Sequence, residues 1–126
     1  MKRTLLLSIA TLAFSGLLAA PGFAQNPNTE GAGPGKVDPG HPRVNQVNHR
    51  ERNQQDRIAN GVKSGELTPH ETVKLERQQG RIDRSEKRDM AAHNGHLTRR
   101  EQVNLNRRQN RASANIYAKK HNDAIR

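Results

Sequence analysis

The chain of 126 residues carries a formal net charge of +10, a mean hydropathy of −1.04 and no cysteine. The lack of cysteine excludes disulfides, thiolate nucleophiles and cysteine-ligated zinc or iron–sulfur sites. Aromatic residues make up 2% of the chain, which excludes a large aromatic-lined substrate pocket, and the length accommodates one small domain.

The first 24 residues have the pattern of a cleaved secretory signal peptide. A basic start at Lys2 and Arg3 precedes an apolar stretch from Leu5 to Ala20, and small residues lead to Ala24 at the expected cleavage site. This apolar stretch of about 16 residues is shorter than the roughly 20 that a membrane-spanning helix needs. We therefore expect a periplasmic or secreted protein, whose mature chain has 20 Lys and Arg against 12 Asp and Glu, a net charge of +8.

Residues 25–42 are rich in glycine and proline and contain one large apolar residue, Val37. Such a segment buries too little apolar surface to repay the entropy lost when it is ordered. The composition therefore predicts a disordered, flexible tether between the signal peptide and a helical repeat domain over residues 43–126.

An internal repeat follows, in which residues 65–81 align with residues 95–111 at nine identical positions. Each copy contains a threonine that is followed three residues later by a glutamate. This spacing predicts a capping box, in which the threonine hydroxyl and the glutamate carboxylate each accept a hydrogen bond from a backbone N–H of the first helical turn. The two capping pairs are Thr68 with Glu71 and Thr98 with Glu101.

The caps and the apolar spacing predict an all-α fold with three helices, over residues 43–62, 69–91 and 99–120. Two short glycine-containing links would join these helices into two αα-hairpins after the disordered leader. The region from Arg43 to Arg126 contains only 13 Val, Ile and Leu among its 84 residues, so the core is small. Self-association, or folding against a partner, would add buried apolar area.

Arginines recur on one side of the second and third predicted helices. In a helical projection at 100° per residue, the four arginines of the second helix fall within about 60° of one another around the axis. The three arginines of the third helix fall within about 40°. We call these seven residues the predicted arginine ridge: Arg77, Arg81, Arg84, Arg88, Arg100, Arg107 and Arg111. Like charges at this spacing repel each other by a few tenths of a kcal/mol per pair. The ridge is therefore either a solvated face or a surface for an acidic partner, and the sequence leaves both interpretations open.

The link and cap of the first repeat have the spacing of an EF-hand calcium loop. With Asn60 at loop position 1, Gly65 falls at position 6 and Glu71 at position 12. Positions 3 and 5 are Val62 and Ser64, so the carboxylates that calcium requires there are missing. Ordinary helix capping explains the same residues.

The sequence also contains no motif that indicates catalysis or specific metal binding. The chain has no P-loop, dinucleotide-binding or nucleophile-elbow motif. Its six histidines include the loop pair His93 and His96, but they lack the spacing of a structural or catalytic zinc site and indicate at most weak surface binding of copper or zinc. We therefore predict a protein that is not an enzyme and that has no cofactor and no dedicated metal site.

The segments LTPHE (residues 67–71) and LTRRE (residues 97–101) resemble the repeated LTxxQ motif of small periplasmic stress chaperones, with glutamate where that motif ends in glutamine. That family is also all-helical, basic, cysteine-poor and exported. The resemblance implies a dimeric cradle that holds unfolding envelope proteins without ATP. The chain is also similar to a group of small exported bacterial proteins with a doubled G-x-L-T-x-x-E unit.

These observations favour a non-enzymatic binding or scaffold module of the cell envelope or the extracellular space. The expected partners are acidic envelope polymers, anionic lipid or partner proteins. Intracellular nucleic acid is disfavoured because export separates the protein from it and because Tyr117 is the one aromatic side chain of the helical region that could stack on bases. The alternative is an ATP-independent periplasmic chaperone or stress protein of the LTxxQ type.

Overall fold

A computed structural model describes residues 26–123 of the chain. It contains a short 3₁₀ helix, Pro27–Thr29, and three α-helices: α1 (Pro42–Lys63), α2 (Pro69–Ala92) and α3 (Arg99–Lys120). The all-α fold and the three predicted helices are confirmed, and each predicted boundary is correct to within one residue. The predicted signal peptide, residues 1–24, lies outside the described residues. None of the helices within residues 26–123 is both long and apolar enough to cross a membrane.

Both repeated links end in a capping box. At the start of α2, Thr68 Oγ1 accepts a hydrogen bond from the Glu71 N–H at 3.2 Å, and the Thr68 N–H donates to Glu71 Oε2 at 2.9 Å. Thr98 and Glu101 form the same pair of hydrogen bonds, at 3.2 and 2.9 Å, at the start of α3. These bonds satisfy N–H groups that have no partner within the helix, which explains why both helices begin where they do.

The three helices enclose a small core in which α3 packs against both α1 and α2. Buried apolar side chains form two separate clusters. The first contains Ala32, Val44, Val47, Ile82, Met90, Leu97, Leu105 and Ala112. The second contains Ile58, Leu67, Leu75 and Ile116.

Buried glutamine side chains connect the helices within this core. The Gln79 amide donates to Gln54 Oε1 at 2.9 Å, and the Gln54 amide donates to the backbone carbonyl of Gln109 at 2.6 Å. Gln109 in turn donates to the carbonyl of Val47 at 3.0 Å. We call Gln54, Gln79 and Gln109 the glutamine layer. Because each of these bonds joins two different helices, the layer fixes how far one helix can slide along another.

The glycine- and proline-rich segment before α1 folds against the helices. The Asn48 side chain accepts a hydrogen bond from the Gly33 N–H at 3.0 Å and donates to the carbonyls of Gly31 and Lys36 at 2.8 and 3.0 Å. Ala32, only 1% exposed, joins the first apolar cluster. Residues 26–41 therefore differ from the flexible tether predicted over residues 25–42. The reason is that one amide side chain on α1 satisfies several of their backbone groups, which the composition of the segment does not reveal.

Candidate functional site

A basic groove runs along the interface of α2 and α3. It consists of two adjoining depressions that share Gln78 and Arg81. Six cationic side chains line the groove: Lys74, Arg77, Arg81, Arg108, Arg111 and Lys119. None of the described residues that line it is acidic. The groove therefore concentrates positive charge from two helices on one concave surface.

Hydrogen bonds to uncharged acceptors hold the two sides of the groove together. Arg108 Nη1 donates to Ser85 Oγ at 2.8 Å, and the Asn115 amide donates to Gln78 Oε1 at 3.0 Å. Each of these bonds joins α2 to α3. The groove thus keeps its shape without internal ion pairs that would cancel its charge.

The structure divides the predicted arginine ridge between this groove and the surrounding surface. All seven of its arginines are exposed. Three line the groove, namely Arg77, Arg81 and Arg111. The other four lie outside the groove lining: Arg84, Arg88, Arg100 and Arg107.

Three cationic residues of the groove were not predicted from the sequence. Lys74, Arg108 and Lys119 are not on the predicted ridge, because a projection along one helix does not show which residues face a neighbouring helix. Arg108, for example, lies about 100° around α3 from Arg107. The packing of α3 against α2 turns it toward Ser85 and into the groove.

A buried cluster of carboxylates lies between α1 and α2. The carboxyl groups of Glu51, Asp83 and Glu86 lie close together. Each has one oxygen within 4.8 Å of an oxygen of the other two. Glu51 is 2% exposed and Glu86 is fully buried. None of the four carboxylate oxygens of these two glutamates has a partner at full hydrogen-bond geometry, although the Gly33 backbone N–H lies close enough to Glu86 to oppose weakly the effect of its burial. We call these three residues the carboxylate cluster.

The surroundings of the carboxylate cluster disfavour its ionised form. Burial, together with the nearby Asp83 carboxylate, raises the pKa of Glu51 from an ordinary value of 4.5 to about 7. Burial and the charges of Glu51 and Asp83 raise the pKa of Glu86 to about 9. Lys87, whose Nζ lies 2.8 Å from Asp83 Oδ2, opposes both shifts without overcoming them.

A cleft of about 390 Å³ opens beside the cluster. Its walls include Glu51 from α1 and Asp83 from α2, while Ala32 and Gly33 from the segment before α1 form another side. The folded segment 26–41 is therefore part of this site. Sequence analysis missed the cluster because its members on α1 and α2 are more than 30 residues apart and follow no recognised motif.

The two loop histidines do not form a common site. His93 Nδ1 lies 3.0 Å from Glu101 Oε1, whereas the His96 ring packs against His41 with their centroids 4.3 Å apart. Within residues 26–123, the carboxylate cluster is the one group of three side chains with the geometry to share a metal ion. Comparisons of the chain with protein-family models, curated proteins and solved structures gave no match.

Proposed function

We propose that the protein acts without catalysis, by binding an anionic polymer of the cell envelope or the extracellular space in the basic groove. The observation that carries this proposal is the set of six cationic side chains on the two walls of one groove with no acidic residue among them. Such an arrangement is electrostatically unfavourable by itself, because like charges in proximity repel each other. A bound polyanion removes that repulsion and releases its own condensed counterions.

The distribution of acidic residues supports the choice of this face. α3 carries seven Lys and Arg but a single acidic residue, Glu101, which is engaged in the capping box. On α2, Asp83 and Glu86 belong to the carboxylate cluster with Glu51 of α1, and Glu76 accepts a hydrogen bond from Gln55 of α1. Three of the five acidic residues of α2 therefore face α1, away from the groove.

The dimensions of the groove favour a polymer over a single small anion. The positions from Lys74 to Arg81 alone span about 10 Å along the axis of α2, at a rise of about 1.5 Å per residue. Arg108, Arg111 and Lys119 extend the positive charge along the opposite wall. A chain with regularly repeated phosphate, sulfate or carboxylate groups can contact several of these cations at once, which multiplies their individually weak interactions.

Heparin binding tests this proposal. The triple variant Arg77→Gln, Arg81→Gln, Arg111→Gln should weaken heparin binding by at least about tenfold. The slope of log K against log [NaCl] should become smaller in magnitude by about three, because the variant makes three fewer charge contacts and binding releases correspondingly fewer counterions. Fluorescence anisotropy with labelled heparin at several NaCl concentrations measures both quantities. Because all three arginines are exposed, circular dichroism should show an unchanged fold.

A matched control removes the same charge from another face. The variant Arg43→Gln, Arg52→Gln, Lys63→Gln lies on α1, and all three of its side chains are exposed. It should bind heparin nearly as well as the unmodified protein. Equal losses in both triple variants would mean that only net charge matters and would refute the groove. The chaperone alternative would be favoured by a different result: the protein suppresses aggregation of an unfolding client protein, and this activity persists at high salt and in the triple groove variant.

A further inference from the structure

We propose that Glu51, Asp83 and Glu86 form a binding site for one hard divalent cation, held between α1 and α2 beside the cleft that Ala32 and Gly33 line. The site is independent of the proposed polyanion binding, because it lies on the side of α2 that faces α1. It is also distinct from the EF-hand spacing considered above, since none of its ligands comes from the links between helices.

The separation of the carboxylates fits a single ion. Calcium binds oxygen ligands at about 2.3–2.6 Å and magnesium at about 2.0–2.1 Å, so two oxygens on opposite sides of one ion lie roughly 4–5 Å apart. One oxygen from each member of the carboxylate cluster lies within 4.8 Å of the others. A single ion can therefore contact all three residues after small side-chain adjustments.

The unpartnered oxygens provide a second and independent argument. Glu51 and Glu86 are almost entirely buried. Both oxygens of Glu51 lack a hydrogen-bond partner, and those of Glu86 have only a weak contact from the Gly33 backbone N–H. Buried polar groups in proteins are nearly always paired, because an unpaired one loses its hydration without compensation. A cation that coordinates both carboxylates would supply the missing partner.

The backbone places these ligands on rigid elements. Asp83 and Glu86 are three residues apart on α2 and so share one face of the helix. Glu51 approaches from α1, and one turn away the hydrogen bond between Gln54 and Gln79 links the same two helices at 2.9 Å. The distance between the ligands is therefore set by helix packing and not by a flexible loop.

The ligand chemistry defines the class of ion. All three ligands are carboxylates, which favour hard cations such as Ca²⁺, Mn²⁺ and Mg²⁺ over softer metals that prefer imidazole or thiolate. The adjacent cleft leaves room for water molecules to complete the coordination. Lys87 pairs with Asp83 but is exposed, so its ammonium group can move into solvent when the ion binds.

Cation titration of the purified protein tests the site. After removal of metals with EDTA and dialysis, CaCl₂, MnCl₂ and MgCl₂ are added separately at constant ionic strength and pH 7.5. At least one of them should raise the melting temperature in a saturable manner, by about 10 °C or more at a hundredfold excess over Kd. For Mn²⁺, loss of the free-ion electron paramagnetic resonance signal should give a stoichiometry of one ion per chain.

Two substitutions and a matched control assign the ligands. Glu86→Gln and Glu51→Gln should each weaken cation binding by at least about tenfold, because each removes a carboxyl group that would lose its proton and coordinate the cation. Glu76→Gln removes the same charge from the same cleft, outside the cluster, and should bind the cation like the unmodified protein. Circular dichroism verifies that each variant is folded.

Two results would overturn this proposal. The first is that none of the three cations binds saturably at millimolar concentration. The second is that Glu86→Gln and Glu76→Gln weaken binding equally, which would show only a general attraction of cations to an acidic surface. Saturable binding that Glu86→Gln abolishes and Glu76→Gln preserves supports the site.

Discussion

Replacement of Glu86 by glutamine should stabilise the metal-free protein at neutral pH. In the folded protein the pKa of Glu86 is raised from 4.5 to about 9. At pH 7 the unfolded chain has this carboxyl ionised, whereas the folded chain must keep it protonated. Each pH unit above the unfolded pKa costs about 1.4 kcal/mol, so folding at pH 7 is penalised by about 3 kcal/mol. Glutamine has nearly the same shape and carries no such penalty.

The sign of the pH dependence follows from the same shift. Between pH 4.5 and about 9 the folded state binds more protons than the unfolded state, so the free energy of unfolding falls as the pH rises. Glu51, with a pKa of about 7, adds to this fall over the lower part of the range. Glu71 affects stability only at lower pH, because the Thr68 N–H and the Asn122 amide hold its pKa at about 2. The stability that it contributes is lost only as the pH falls below about 4.5.

Urea unfolding in EDTA, followed by circular dichroism at pH 5, 7 and 9, measures these effects. The unmodified protein should lose stability from pH 5 to pH 9, and Glu86→Gln should flatten much of that slope. At pH 7 the variant should gain up to about 3 kcal/mol, which corresponds to roughly 10–20 °C in melting temperature for a domain of this size. Glu76→Gln, on the same helix but outside the cluster, serves as the control. A destabilised Glu86→Gln variant at pH 7, or equal stability of the unmodified protein at pH 5 and pH 9, would refute the reasoning.

Two further predictions concern the parts of the fold that support the site. Gln54→Ala should lower the free energy of unfolding by about 3 kcal/mol in urea melts, because it removes two buried hydrogen bonds and leaves the Gln79 amide unpaired. The neighbouring Gln55→Ala should cost under about 1 kcal/mol. Similar losses in the two variants would contradict the role of the glutamine layer. Asn48→Ala should release the segment before α1, so that trypsin cleaves after Lys36 at least about tenfold faster. Unchanged cleavage kinetics would mean that Asn48 does not hold this segment.

The positions of the helices could be predicted because the signals that set them are local. A capping box involves residues three positions apart, and Thr68 with Glu71 and Thr98 with Glu101 are recognisable wherever the rest of the chain lies. The thirty-residue repeat then implies two similar helical hairpins. Likewise, the period of 3.6 residues places Arg77 and Arg81 on one face of α2 and Arg111 on one face of α3, without any knowledge of packing.

Only the tertiary structure decided which residues from different helices meet. Arg108 enters the basic groove because α3 packs against α2, and Glu51 meets Glu86 because α1 packs against a different side of α2. The ordering of residues 26–41 depends in the same way on Asn48, which lies on α1. Sequence alone determined the local capping hydrogen bonds that begin α2 and α3. The groove and the carboxylate cluster depend on contacts between distant parts of the chain, and their geometry exists only once the helices have packed.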